Sequence, residues 1–426
     1  MTYVAKIDGP GCGCEAHDHK RSLISLDQAF AAIGVALEAV RETEVLPLGA
    51  AKGRILAEPV LARSMTPPFD NAAMDGYAVR SAELSGEGPW TLQVAGRITA
   101  GTLLRDGEQL ALRAVRIFTG APVPQGFDTV VMQEEVQREG DQIVLDRKPR
   151  VGSHIRRTGE DMAQGAVVLA PGASLGPREI AACAAAGHGE VTVKRKIRVA
   201  FLSSGDELAD AGAERDPAQI WDINLPMICA ALPAYAELVS ATAGGADDPE
   251  ALKQHLSKQL AEADLVITTG GISVGEADFV KPVMRALGVE EIFSGVALKP
   301  GKPITRGRCG TRYWLGLPGN PLSAYITWHL FGRDVLARLS GFDQPATRRH
   351  VVLTQELRHR PGRCELRLAR LAGFDGQGRE LVAQDAATHS GRVAGLPKAD
   401  GAVLVPGDCE TIAAGGLVEF VPFFQD

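Results

Sequence analysis

Aromatic side chains make up only 5% of this chain, and its 45 Lys and Arg are outnumbered by 52 Asp and Glu, for a formal net charge of -7. The shortage of rings disfavours base stacking, and the acidic balance gives no general reason to expect a nucleic-acid partner. Affinity for any anion must then come from local clusters of Lys and Arg. Long apolar runs are missing too: Gly, Pro or a charge breaks each one well short of the roughly eighteen residues that a membrane span requires. The N-terminal stretch MTYVAKIDGPGCGCEAHDHKRS lacks the apolar core of a secretory signal, so a cytoplasmic protein with no membrane contact is expected. Cysteine is sparse and odd in number, seven in 426 residues, which agrees with a reducing compartment.

What is present is an ordinary globular composition, 45% hydrophobic and 23% charged, over a length that implies more than one domain. Residues 1–21 read as a flexible tail. Its Cys12, Cys14, His17 and His19 have metal-ligand chemistry, but Cys-x-Cys is tighter than a structural zinc loop and glycines flank it. Ser25 and Gln28 form a capping-box pattern ahead of Ala29, Phe30, Ile33 and Leu37 at helical spacing. Residues 22–195 are otherwise mainly β, with an inserted subdomain over about 50–150, because short alternating segments such as TLQVAG and TVVMQEEVQ are punctuated by Gly, Pro and Asp. GPREIAACAAAGHGEV from Gly176 predicts a small closing helix.

From 196 to 340 buried strands alternate with helices, the pattern of a parallel sheet covered on both faces and hence of a three-layer α/β/α domain. Asp247, Pro249 and Glu250 signal one helix start, and Asn320 with Pro321 another that continues through Leu339. Beyond it, 341–426 returns to short β segments and predicts a small barrel-like C-terminal domain. The fold class is therefore α/β plus β, in several domains.

The richest block runs from Asp264 to Ala324. Three glycine-bearing turns, GGISVGEADF, LKPGKP and LGLPGNPLSA, each follow a short apolar segment there, which places them at the carboxyl ends of strands where open sheets bind ligands. Glycine in GGISVG opens backbone conformations in which N–H groups converge on an oxyanion, although such a turn by itself serves equally as plain structure. Lys299 and Lys302, spaced by Pro300 and Gly301, offer two ammonium groups from one stiff turn. Opposite charge comes from Asp206 and Glu207 in SSGDEL, Asp222, Asp247, Asp248, Glu276 and Asp278. Magnesium needs one or two such carboxylates beside phosphate oxygens. Capping is an equal reading for Asp247 and Asp248. Ser203, Ser204, Ser273 and Ser323 have no histidine near in sequence, and the histidines fall in polar helix or loop contexts, with His255 on an exposed helix face. The chemistry expected is electrostatic and positional, without a covalent nucleophile.

Together PPFDNAAMDGYAVR, RIFTGAPVP, VMQEE, TGEDM, SSGDEL, TTGGISVGEADF, LKPGKP and LGLPGNPLSA, in this order, resemble the molybdopterin molybdenumtransferases, the family of the gephyrin E domain and the bacterial MoeA-type enzymes. The resemblance is close over residues 22 to 345 and looser beyond. It implies a homodimeric transferase of molybdenum cofactor biosynthesis that inserts molybdenum from molybdate into adenylylated molybdopterin with Mg²⁺, releasing AMP. By the same resemblance Ser204, Gly205, Asp206, Asp222, Gly270, Gly271, Ser273, Gly275, Pro318, Gly319, Asn320 and Ser323 would hold the pterin nucleotide. Asp206, Glu207 and Asp278 would organise the metal, and Lys299, Lys302 and Ser323 would face molybdate. Asp75 and Thr119 would reach the site from a partner subunit. Contacts with a molybdopterin adenylyltransferase and with molybdoenzymes are implied as well. A paralogue handling tungstate and a non-catalytic scaffold of the same fold stay open.

Three departures from the family pattern stand out. Gly295 precedes LKPGKP where a Lys or Arg is usual. Leu368 occupies the place of an arginine, with Arg367 one position early and so on the opposite face of its strand, which means either a local strand shift or a lost contact. The segment from His389 to Gly395 keeps only the centre of its motif, including Ser390, with Arg392 as a replacement charge.

Overall fold

In IRVAFLS, alternate residues go to opposite sides: Ile197, Val199 and Phe201 enter one apolar core, Ala200 and Leu202 another. A strand buried on both faces this way needs helices above and below. The computed structural model describes residues 23–35, 37–103, 113–243, 248–272, 278–342, 349–385 and 391–423. Cys12, Cys14, His17, His19, Asp247, Ser273, Gly275, Glu276, His389 and Ser390 lie outside the described residues. The chain divides into two units, one of Val45–Lys52 and Leu56–Val193, the other of the remaining segments, chiefly Lys194–Asp426.

The larger unit holds a six-stranded sheet in the order Ala236–Ala243, Ile197–Ser203, Leu265–Thr269, Arg312–Leu317, Thr305–Cys309, Glu290–Ser294. The first four strands are parallel. Thr305–Cys309 runs antiparallel to them, and Glu290–Ser294, antiparallel to Thr305–Cys309, returns to their direction. From Ile197–Ser203 the chain goes first to one neighbour, Ala236–Ala243, and then crosses to the other, Leu265–Thr269. Such a reversal opens a crevice at the carboxyl ends of the two central strands. One face is covered by the helices Leu26–Gly34, Asn224–Ala230, Pro321–Thr327 and Arg333–Ser340, through residues such as Leu26, Ile33, Ile228, Leu322 and Leu336. Leu252, Leu256 and Leu260 of Pro249–Glu262, with Val280 and Met284 of Val280–Ala286, cover the other. The expected three layers are present.

The first helix begins as its capping box predicts, with Gln28 N donating to Ser25 Oγ at 3.1 Å and Ser25 N to Gln28 Oε1 at 2.9 Å. It stops at Gly34, short of Leu37. Its end is held by the buried Arg306 guanidinium, which donates to the carbonyls of Ala32 and Val35. Burial pushes the pKa of Arg306 down to about 10. The helix expected from Asn320 through Leu339 is one helical run with a π turn, Trp328–Gly332, inserted between its α segments, and the Asn320 side chain makes no capping bond.

After it, the strands Cys364–Phe374, Glu380–Gln384, Arg349–Leu353, Leu417–Pro422 and Gly401–Val405 close on one another as a five-stranded barrel. Val351, Leu353, Val382, Val403, Val405 and Phe420 pack together as one apolar cluster of these strands. A sixth, two-residue strand, Leu298–Lys299, is added in parallel to Cys364 and Glu365. The smaller unit is mainly β, with a six-stranded sheet whose Tyr77, Ala78 and Val79 alternate between two cores. The helix Pro177–Ala185 packs there through Cys183. Among the described residues no helix is long and apolar enough to cross a membrane.

Candidate functional site

Three neighbouring parallel strands end in SSGDEL, GGISVG and LPGNP, so the sheet itself gathers the predicted turns. The first two approach closely enough to require glycine at position 270. A Cβ on Gly270, whose φ is 81°, would lie 2.4 Å from the Ser204 carbonyl oxygen, and one on Gly319 would lie 3.4 Å from Gly270 Cα. Ser204 N donates to the Thr269 carbonyl at 2.9 Å and fixes the first turn against the second. Asp206 and Glu207 are exposed at its tip, and Asp278 is half-buried two residues ahead of helix Val280–Ala286. Gly205 and Gly271 complete the turns, Pro318 is buried, Asn320 is exposed, and Ser323 is buried in the first turn of its helix.

From SSGDEL the chain forms a short parallel ribbon, Leu208–Ala209 with Ile220–Trp221, that brings Asp222 back to the same edge. Asp222 is 3% exposed. Its Oδ1 accepts from the backbone N–H groups of Asn224 at 2.9 Å and Leu225 at 3.2 Å, which caps the helix that follows. Its Oδ2 is buried with no hydrogen-bond partner in the protein, and so is Asn224 Oδ1, although Asn224 Nδ2 donates to the Gly319 carbonyl at 2.7 Å. A buried carboxylate oxygen without a partner is costly. Two oxygens of this kind beside the glycine turns suit a ligand that brings hydrogen-bond donors or a hard cation.

The two-lysine turn sits against the last helix, because Gly301, at φ 121°, has no Cβ to collide with Thr327 Cγ2. Lys302 is half-buried. The Lys299 ammonium, on a side chain 45% exposed, lies 3.1 Å from Glu365 Oε1 of the C-terminal barrel. The other oxygen of Glu365 takes Arg367 Nη2 at 3.0 Å and faces His359 Nε2 at 3.8 Å. Burial pushes the Glu365 carboxyl upward, but Arg367 and then Lys299 outweigh it and hold the group below the usual carboxylate range. Of the two outcomes expected for Arg367, no strand shift occurs: the register from Glu365 opposite Val405 to Ala369 opposite Gly401 is unbroken. Leu368 is core, and Arg367 acts on the other face through Glu365. At Gly295 the φ is 91° and a Cβ would lie 2.8 Å from Leu23 Cδ2, so glycine suits the backbone there. Arg392 is exposed.

In the smaller unit Asp75 and Thr119 meet: Thr119 N and Oγ1 both donate to Asp75 Oδ1 at 2.8 Å. Those bonds, the backbone one first, lower the pKa of Asp75.

Among the described residues no group of three or more His, Cys, Asp or Glu is placed to hold a metal by itself. Asp248 caps helix Pro249–Glu262 by accepting from Glu250 N at 3.0 Å. The expectation of polar surroundings for the histidines fails at His329, which stacks 4.4 Å from Tyr325 and 5.0 Å from Phe423, its pKa pushed down to about 3 by burial. It holds at His359, whose side chain is buried but which lies in a loop, between the Cys409 carbonyl and Glu365. Sequence reasoning missed Asn224 and Glu365. The signal for Glu365 was present, a Glu and an Arg two apart in the strand-like CELRL, where alternation puts them on one face.

Three family models match the chain: "MoeA N-terminal region (domain I and II)" over residues 24–187, "Probable molybdopterin binding domain" over 200–338, and "MoeA C-terminal region (domain IV)" over 350–423. A molybdopterin molybdenumtransferase of Haemophilus influenzae is 38% identical over 80% of this chain and 85% of its own length. Molybdopterin molybdenumtransferase 2 of Mycobacterium tuberculosis is 36% identical over 87% and 92%. The crystal structure of a molybdopterin biosynthesis MoeA protein from Pyrococcus horikoshii superposes with a TM-score of 0.77 at 27% identity, covering 93% of this chain and all of that one. With its sheet, its glycine turns and its barrel each inside a matched region, the chain belongs to the MoeA family of molybdenum cofactor biosynthesis.

Proposed function

We infer that this chain is a transferase that inserts molybdenum from molybdate into adenylylated molybdopterin and releases AMP. The observation that carries the reading is the pair of buried, unpartnered oxygens, Asp222 Oδ2 and Asn224 Oδ1, set where the strands ending in SSGDEL, GGISVG and LPGNP converge. The curated relatives named molybdopterin molybdenumtransferase support the same chemistry. The backbone N–H groups of the glycine turns suit the phosphates of the pterin nucleotide. Ser204, Gly205, Asp222, Gly270, Gly271, Pro318, Gly319, Asn320 and Ser323 form its cradle, together with Ser273 and Gly275. Lys299, Lys302 and Ser323 attract molybdate, an oxyanion matched by ammonium and hydroxyl donors.

The residues present also fit Mg²⁺, because Asp222 Oδ2, Asp206, Glu207 and Asp278 are hard oxygen donors, and this ion takes one or two carboxylates beside phosphate oxygens and waters. That requirement is compatible with the lack of a three-ligand cluster among the described residues. When bound, Mg²⁺ would neutralise phosphate charge. The protein's own part is to orient the nucleotide and the oxyanion and to hold charge where the bond to AMP breaks. Asp75 and Thr119, joined as one hydrogen-bonded unit, complete the site from a second copy of the chain in a homodimer. Cytoplasmic location and contacts with an adenylyltransferase and with molybdoenzymes complete the proposal.

The test is AMP release by purified protein given adenylylated molybdopterin, Mg²⁺ and either molybdate or tungstate. Release with molybdate is expected, and none with either oxyanion would sink the assignment. In Asp278→Ala release should be abolished, whereas a wild-type rate would reduce Asp278 to a turn residue.

A further inference from the structure

Lys299 differs from a surface lysine in one respect: a buried acidic group from another domain holds its ammonium. The short strand Leu298–Lys299 pairs with Cys364–Glu365, so the backbone register itself delivers the lysine to the carboxylate. Glu365 is 2% exposed. A one-to-one pair of Lys299 with a buried carboxylate would cancel much of the charge that an oxyanion is meant to meet. The structure supplies a second cation. Arg367, 8% exposed, donates through Nη2 to Glu365 Oε2 and to the Arg358 carbonyl. His359 approaches the same carboxylate but is tied through Nδ1 to the Cys409 carbonyl at 2.8 Å.

We propose that Arg367 is a positioning residue for the oxyanion site: by occupying one oxygen of Glu365, it lets that carboxylate orient Lys299 without cancelling its charge. Two cations share one carboxylate, and the half-exposed member, Lys299, presents the surplus. The proposal rests on the assignment of Lys299 to molybdate made under Proposed function. It places the barrel in the chemistry even though Leu368 gives the outer face of the same strand no charge.

Arg367→Gln removes the charge and leaves a shorter polar side chain on the same face. It should raise the KM for molybdate and the Kd for tungstate by about tenfold, the scale of one charge a few ångströms away at partial exposure. kcat at saturating molybdate and the KM for adenylylated molybdopterin should stay near wild type. Arg367→Lys, which keeps the charge, should bind like wild type. The double variant Glu365→Gln with Arg367→Gln should recover most of the lost affinity, since it again leaves one net positive charge on the pair. A purely structural arginine would show the reverse pattern, with melting temperature and kcat falling together and no recovery on neutralising Glu365. The proposal is overturned by wild-type oxyanion binding in Arg367→Gln, by a double variant as weak as the single one, or by a wild-type chain that binds no tungstate. Calorimetry with tungstate on the full chain reads these outcomes without turnover. Absence of AMP release would therefore overturn the transferase reading alone.

Discussion

The two edges of the central sheet treat a buried aspartate in opposite ways. At the edge where strands begin, Asp264 is 5% exposed and fully engaged: Arg195 reaches both of its oxygens, at 2.6 and 3.1 Å, Arg312 takes one at 2.9 Å, and Arg198 N donates at 2.9 Å. At the edge where strands end, Asp222 is as deeply buried, yet one of its oxygens has no partner. Position in the sheet explains the difference. At the N-terminal edge, where the strands start, arginines in or next to neighbouring strands reach the carboxylate. The carboxyl edge is the side on which open sheets bind ligands, and the oxygen without a partner lies there.

The largest effect is expected at the satisfied edge. Asp264→Ala removes the buried carboxylate on which three part-exposed arginines converge and should cost about 3 kcal/mol of stability, read as a lower denaturant midpoint. Nucleotide and oxyanion affinity of the molecules still folded should be unchanged. At the other edge Asp222→Asn keeps the Oδ1 acceptor that caps its helix and removes only the charge. AMP release should fall by about a hundredfold, the scale of losing a metal or ligand partner. The melting temperature should equal that of wild type or exceed it, since an unpartnered buried charge is gone. A variant of Asp222 that lost stability and kept activity would erase the contrast between the two edges.

Acid sharpens the same comparison with a smaller effect. Burial alone would raise the pKa of Asp264, but the bonds from Arg195 and Arg198 outweigh it, and the folded carboxyl titrates below its ordinary value. A depressed folded pKa adds stability that is present above the unfolded value, about 3.9, and is lost as pH falls from there through the folded value. Wild type should therefore lose stability more steeply below about pH 4 than Asp264→Asn does. Equal slopes would mean that the arginine cluster contributes nothing through this proton.

Much of the fold that forms these edges was legible in the sequence, and the reason is locality. A strand followed by Gly-Gly or Pro-Gly-Asn, or a Ser three residues before a Gln, carries its meaning within one turn of chain. That is why the sheet, the first helix and the turns at SSGDEL, GGISVG and LPGNP were recoverable from the sequence. Asn224 was hidden because a polar residue opening a helix reads as ordinary cap chemistry, and only the fold shows its Oδ1 without a partner. The Lys299–Glu365–Arg367 chain was hidden for a different reason. It depends on a two-residue strand, Leu298–Lys299, joining a sheet of another domain, and no periodicity survives in two residues. Arg367 looked displaced because its neighbour Leu368 sat where a cation was sought. The strand register excludes the local shift, and on that opposite face Arg367 bonds Glu365.

The smallest expected effect is also the most discriminating. Asp248 follows the strand Ala236–Ala243 and so lies toward the same carboxyl edge as Asp222, but its side chain accepts from Glu250 N and caps a helix. If location at that edge were enough to make an aspartate functional, Asp248→Ala would depress AMP release much as Asp222→Asn does. If the missing partner is what matters, Asp248→Ala should cost about 1 kcal/mol of stability, the worth of a helix cap, and leave kcat and both KM values at wild type. Chemical denaturation and steady-state AMP release on the one variant separate the two views. A loss of activity without the loss of stability would move the ligand site toward the helix Pro249–Glu262 and away from Asp222.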